Sequence, residues 1–156
     1  MKEPVIFVHG FLGWGKDENF IDYWSTDMIE KNFSDKNVYI ASVGAISSNW
    51  DRACELYAQI KGGTVDYGKY HSVKNGHSRY GKTYEGFFPE WDTSTPLVMI
   101  GHSMGGQTIR QLEKLLQVGD KNEVGDDTSP LFLGLGRMIK TIITISTPHL
   151  GTPIFD

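Results

Sequence analysis

The sequence predicts an α/β fold with a partial, mostly parallel sheet of about four strands flanked by helices. Two uninterrupted apolar runs, residues 4–8 and 97–100, lack the polar alternation of a half-exposed strand and suit parallel strands covered on both faces. Each runs straight into a glycine-rich turn, at residues 9–15 and 101–106. Segments with apolar residues at helical spacing follow, as a parallel sheet requires for its crossovers.

Taken in order, Pro4 opens the first strand, which ends in the loop His9-Gly10-Phe11-Leu12-Gly13-Trp14-Gly15, placed where α/β folds bind ligands. Residues 17–33 carry Tyr23, Trp24, Met28, Ile29 and Phe33, a crossover helix in its last stretch with Ser25 or Thr26 as cap. Residues 38–43 read as a strand bounded by Asn37 and Gly44. Ser48 or Asn49 then caps a helix over residues 50–60 whose apolar face is Trp50, Ala53, Cys54, Tyr57 and Ile60. Asp51 falls in its first turn, where the helix dipole favours a carboxylate. Residues 62–86 show no clear period and read as an irregular excursion containing His71 and His77. At that length, and with that aromatic content, it is expected to serve a function. After the elbow helix, residues 120–130 are polar and turn-rich, and residues 139–145 form a β-branched strand running into Ser146-Thr147-Pro148-His149.

The chemistry concentrates at Gly101-His102-Ser103-Met104-Gly105. Strand, tight turn and helix occur in the order of a nucleophile elbow, with glycines two residues either side of Ser103 where a β-carbon has no room. The helix, marked by Ile109, Leu112, Leu115 and Leu116 and stopped at Gly119, aims its positive end at Ser103, which favours charge developing as a hydroxyl attacks a carbonyl. In such a site one oxyanion donor is the N–H of the residue after the nucleophile, here Met104. The other comes from a loop after an earlier strand, here Phe11. The plainer readings are a structural serine in a glycine turn and a mere loop at residues 9–15.

The chain has 156 residues, a net charge of −4 and 39% hydrophobic residues, which fits one domain with a real core and gives no electrostatic footprint for nucleic acid. A single cysteine, Cys54, excludes an internal disulfide and reads as packing. No apolar run is long enough for a transmembrane segment, and no signal-peptide pattern precedes the first strand.

Four stretches are more specific than the serine pentapeptide: Ser48-Asn49-Trp50-Asp51-Arg52-Ala53, Gly62-Gly63-Thr64-Val65-Asp66-Tyr67-Gly68, Tyr80-Gly81-Lys82-Thr83-Tyr84, and residues 101–108. Through them the chain resembles the secreted bacterial triacylglycerol lipases of staphylococci and thermophilic bacilli, over nearly its whole length. The resemblance implies an α/β-hydrolase fold, extracellular localisation, a lipid or ester substrate, Ser103 as nucleophile, and Phe11 and Met104 as oxyanion donors. It also implies a structural zinc ion held by Asp51, His71 and His77, a donor set proper to zinc but one short of the usual four. By the same resemblance the fourth zinc ligand, the catalytic aspartate and histidine, the lid and a calcium site all lie beyond Asp156. The chain is then the N-terminal portion of a single hydrolase domain, inactive alone. His149 is the only histidine after Ser103, and it sits where the relatives carry a segment that is not catalytic. Two other readings stand beside this one: a non-catalytic truncated product that binds zinc or lipid, and a thioesterase or acyltransferase built on the same elbow.

Overall fold

The computed structural model describes residues 2–16 and 18–152. Asp17, where the first crossover segment was expected to begin, and the stretch up to Asp156 lie outside the described residues. Four strands form one parallel sheet in the order β2-β1-β5-β6: β1 (Pro4–Val8), β2 (Asn37–Ala41), β5 (Leu97–His102) and β6 (Ile139–Ile145).

The central strands are apolar throughout because both their faces are covered. Side chains alternate across a strand, so Ile6 and Val8 of β1 and Leu97 and Met99 of β5 face the larger core. That core is closed by α2 (Asn49–Lys61) and α4 (Met104–Val118). Val5, Phe7 and Ile100 face the other side, under Trp24, Ile29 and Phe33 around α1 (Thr26–Asn32). Trp24 and Phe33 both meet the Phe7 ring edge-on. Cys54 is buried in the larger core, and burial pushes its thiol well up, which suits a packing role. No helix among the described residues is long and apolar enough to cross a membrane.

The capping of α2 by Ser48 is as expected: its hydroxyl accepts from the Asp51 N–H at 3.1 Å and donates to Asp51 Oδ2 at 2.8 Å. That of α1 is not. Ser25 stands at the cap position with a left-handed φ of 52° and makes no side-chain cap, and Thr26 is already helical. Asp22 takes over, its carboxylate accepting from the Trp24 and Thr26 N–H groups and from the Thr26 hydroxyl. The second strand ends two residues before Val43, because the Val43 N–H leaves the sheet to donate to a His9 ring nitrogen.

Residues 62–86, expected to be irregular, hold regular elements instead. They are an antiparallel hairpin of β3 (Gly63–Asp66) and β4 (Tyr80–Tyr84) enclosing α3 (Lys69–Asn75). Arg79 joins the hairpin to itself by a two-pronged pair with Asp66, both contacts at 2.9 Å. These elements are four to seven residues long and β4 is largely exposed, so no hydrophobic period marks them in the sequence.

Candidate active site and metal centre

Ser103 sits at the junction of β5 and α4 with φ 54° and ψ −126°, a backbone conformation that non-glycine residues rarely take. The turn is that tight because its neighbours touch backbone: a β-carbon on Gly105 would lie 2.1 Å from the Val8 carbonyl oxygen, and one on Gly101 2.5 Å from the Gly106 nitrogen. The peptide groups of Ser103 are tied to the next strand. Its N–H donates to the Ile145 carbonyl at 2.8 Å, and its carbonyl accepts from the Thr147 hydroxyl at 2.9 Å. A cleft of about 390 Å³ opens beside it, and its walls include Ser103, Phe11, Met104, Asn49, Gln107 and Pro148. The candidate nucleophile and both candidate oxyanion residues are thus brought to one cavity. Met104 is the first residue of α4, among the N–H groups that have no acceptor within a helix.

The loop carrying Phe11 is held from beneath. His9 is fully buried; the Val43 N–H donates to its Nε2 at 3.1 Å, which leaves Nδ1 as the protonated nitrogen, donating to the Gly10 carbonyl at 2.9 Å. Burial lowers the His9 pKa and Arg52 pushes it the same way, so the ring is neutral. Arg52, also fully buried, spreads its guanidinium over three segments. Nη2 donates to the His9 carbonyl, Nη1 to the Gly44 carbonyl at 2.7 Å and the Gly10 carbonyl at 3.4 Å, and Nε to the Thr108 hydroxyl of α4 at 2.9 Å. Burial brings the Arg52 pKa down to about 10, which still leaves it charged at neutral pH. On the other side the Tyr23 hydroxyl accepts from the Gly10 N–H at 3.0 Å and is hydrogen-bonded to His102 Nδ1 at 2.5 Å.

His149 is engaged elsewhere. Arg110 donates to its Nδ1 and its Nε2 lies against the Thr144 hydroxyl, each at 3.1 Å. Among the described residues the Ser103 hydroxyl has no hydrogen bond to any of the five histidines.

Asp51, His71 and His77 converge, one from the first turn of α2, one from α3 and one from the loop after it, with a ligand atom from each lying within 4.8 Å of the others. His71 Nε2 stands 3.0 Å and His77 Nε2 3.7 Å from Asp51 Oδ1. Donors bound to one tetrahedral zinc ion at about 2.0–2.2 Å lie roughly 3.3 Å apart, a spacing these two distances bracket. His77 donates Nδ1–H to the Ser78 carbonyl at 2.9 Å, which in the neutral ring turns a bare Nε2 toward a carboxylate. Two lone-pair donors facing each other suit a cation between them, and a backbone carbonyl on the far nitrogen is the usual support for a ligating histidine. The His71 ring stacks on Trp50 at 4.9 Å. Buried Glu123 reaches across from the 120–128 loop, accepting the His71 and Tyr70 N–H groups at 2.7 and 2.9 Å.

Arg52, Tyr23 and Glu123 were not singled out by the sequence reading. A signal for Arg52 existed: with Leu56 and Gln59 it forms a second stripe on α2 at spacing i, i+4, i+7, and all three are buried. Nothing local marks Tyr23, whose hydroxyl partners are 13 and 79 residues away, or Glu123, whose carboxylate partners are 52 and 53 residues away.

The sequence matches the family described as "Lipase-like, C-terminal domain" over residues 1–156. Lipase 2 of Staphylococcus aureus is 46% identical over 169 residues, covering 99% of this chain and 24% of that protein. Among solved structures, Staphylococcus hyicus lipase superposes with a TM-score of 0.88 at 44% identity, covering 97% of this chain and 43% of that one. Lipase 1 from Pelosinus fermentans gives 0.84 at 45% identity, with the same coverage. The chain spans about a quarter of the length of the curated relatives it matches. An elbow on a parallel sheet, a fold shared with solved lipases and a family match from end to end agree, and the chain belongs to the lipase-like, C-terminal domain family.

Proposed function

We propose that this chain carries the nucleophile and oxyanion hole of a carboxylic ester hydrolase acting on lipid esters. The supporting observation is that Ser103, at a positive-φ elbow, shares one cleft with Phe11 and Met104. In this reading Ser103 Oγ attacks the ester carbonyl carbon while its proton passes to a general base. The oxygen that gains the negative charge is held by the N–H groups of Phe11 and Met104. The C–O bond to the alcohol then breaks, the alcohol leaves with the proton, and water hydrolyses the acyl-serine by the same steps in reverse order. The base is a histidine outside the described residues, in keeping with the chain order Ser, acid, His of such hydrolases. Residues 1–156 are then the N-terminal part of one hydrolase domain. The test is labelling of the full-length protein by a serine-directed phosphonate. Ser103→Ala is expected to abolish labelling and turnover of a p-nitrophenyl ester, and His149→Ala to leave both; labelling at another serine in Ser103→Ala overturns the reading.

Asp51, His71 and His77 are proposed to hold a zinc ion, with a fourth ligand from water or from another part of the protein. The ion would supply a structural crosslink, fastening the β3–α3–β4 excursion to the first turn of α2. The support is the convergence of a carboxylate and two imidazoles at tetrahedral spacing.

A further inference from the structure

We propose that Arg52 and Tyr23 form a two-sided clamp that sets the direction of the Phe11 N–H and fixes its loop to the elbow, acting as positioning residues that do not touch substrate. This rests on the reading of Phe11 and Met104 as oxyanion donors.

In a trans peptide the carbonyl and the N–H point in opposite directions, and the described chain has no cis bond. The aim of the Phe11 N–H is therefore fixed by whatever holds the Gly10 carbonyl, the other end of the same peptide. Three donors hold it: His9 Nδ1 at 2.9 Å, the Gly13 N–H at 3.1 Å and Arg52 Nη1 at 3.4 Å. One peptide earlier the grip is on both ends. The His9 carbonyl accepts from Arg52 Nη2, while the N–H of that unit, on Gly10, donates to the Tyr23 hydroxyl at 3.0 Å.

Each clamp residue also reaches the elbow. The Tyr23 hydroxyl shares one hydrogen bond with His102 Nδ1, beside Ser103, so one hydroxyl keeps the loop and the elbow in register. Arg52 donates Nε–H to Thr108 at 2.9 Å, and that hydroxyl lies 3.1 Å from the Met104 carbonyl in the first turn of α4. One guanidinium thus ties the loop that carries Phe11 to the first turn of α4, while the peptide of the Met104 N–H is held at its Ser103 carbonyl by the Thr147 hydroxyl. Only a planar fork with five N–H groups can serve three carbonyls and a hydroxyl from a single position. A fully buried charge whose described hydrogen bonds all go to neutral acceptors is a poor way to gain stability, since an apolar residue of that volume avoids the desolvation cost. Fixing the carbonyl ends of the peptides at His9 and Gly10, and with them the orientation of the loop that carries Phe11, is what the charge adds.

The experiment compares Tyr23→Phe, Arg52→Lys and Arg52→Met in the full-length protein, with Ser103→Ala as control. The readouts are kcat and KM for a p-nitrophenyl ester, the rate of phosphonate labelling, and the thermal midpoint. Tyr23→Phe is expected to lower kcat about 10-fold and Arg52→Lys about 10- to 100-fold, with KM within about twofold, because misplacing a donor by an ångström weakens transition-state binding alone. Labelling should slow in parallel, and Arg52→Met should fall below Arg52→Lys. If Arg52→Met does not fold, the two milder variants decide. Parental kcat and labelling in both of them, or a loss carried by KM, overturns the clamp while leaving Ser103 as nucleophile. Continued turnover in Ser103→Ala overturns the nucleophile reading and the clamp with it.

Discussion

A β-carbon built on Gly10 would stand 2.7 Å from Cβ of Ser103 and 3.1 Å from its hydroxyl oxygen, so the loop after β1 lies against Ser103 without room for one added methyl group. The conflict is purely steric, since Gly10 is not among the positive-φ residues. Gly10→Ala must push the serine or the loop aside. The expected result is a stability loss of about 1–3 kcal/mol, as for other overpacked sites, and a kcat roughly 10²-fold lower, read by thermal melts and ester turnover. Parental kcat in the folded variant would show that the contact is slack.

Zinc content checks the metal reading. The full-length protein is expected to hold one equivalent after dialysis against zinc, and the His71→Ala/His77→Ala variant none. With free zinc a hundredfold above the dissociation constant, loading adds about 2.7 kcal/mol of stability by mass action. Chelation should therefore lower the melting temperature of the parent and leave that of the double variant unchanged. Equal zinc in both proteins would place the ion elsewhere.

His9 predicts a pH dependence of stability. Its folded pKa lies below the ordinary imidazole value, through burial first and with the charge of Arg52 adding to it, against the opposing hydrogen bond to the Gly10 carbonyl and the charge of Glu18. Below the unfolded value of about 6.5 the unfolded chain takes up a proton that the folded chain refuses. The stability His9 contributes is therefore fully present above that pH and is lost as pH falls through the depressed folded pKa. In His9→Asn the decline in unfolding free energy across this acid range should be shallower than in the parent, by urea titration at several pH values. Identical slopes would mean that His9 is not buried neutral.

Much of the fold could be read from the chain because its strongest signals are short-range. The apolar runs of β1 and β5 report burial on two faces, the β-branched run of β6 reports strand propensity although only Ile139 of it is buried, and the elbow glycines report backbone contacts. Ser48 and Asp51 form a cap within four residues, equally visible. Where the reading went astray, the deciding partner was non-local or the element was too short. Asp22 displaced Ser25 as the cap because a left-handed turn intervened, and the hairpin at residues 63–84 is too exposed to show alternation. A charged residue on a helix says nothing of its burial by itself, and only the sheet and α4 folding around Arg52 reveal a buried guanidinium between two loops.

The peptide groups of Ser103 close onto Ile145 and Thr147, and this bears on the order in which the protein is made. Ser103 leaves the ribosome ahead of the strand that holds it, and Thr147 follows 44 residues later. At translation rates of about 5–20 residues per second that gap lasts roughly 2 to 9 seconds. Throughout it the nascent chain carries the serine without the bonds that brace its left-handed turn. The elbow therefore cannot set during synthesis until β6 has emerged.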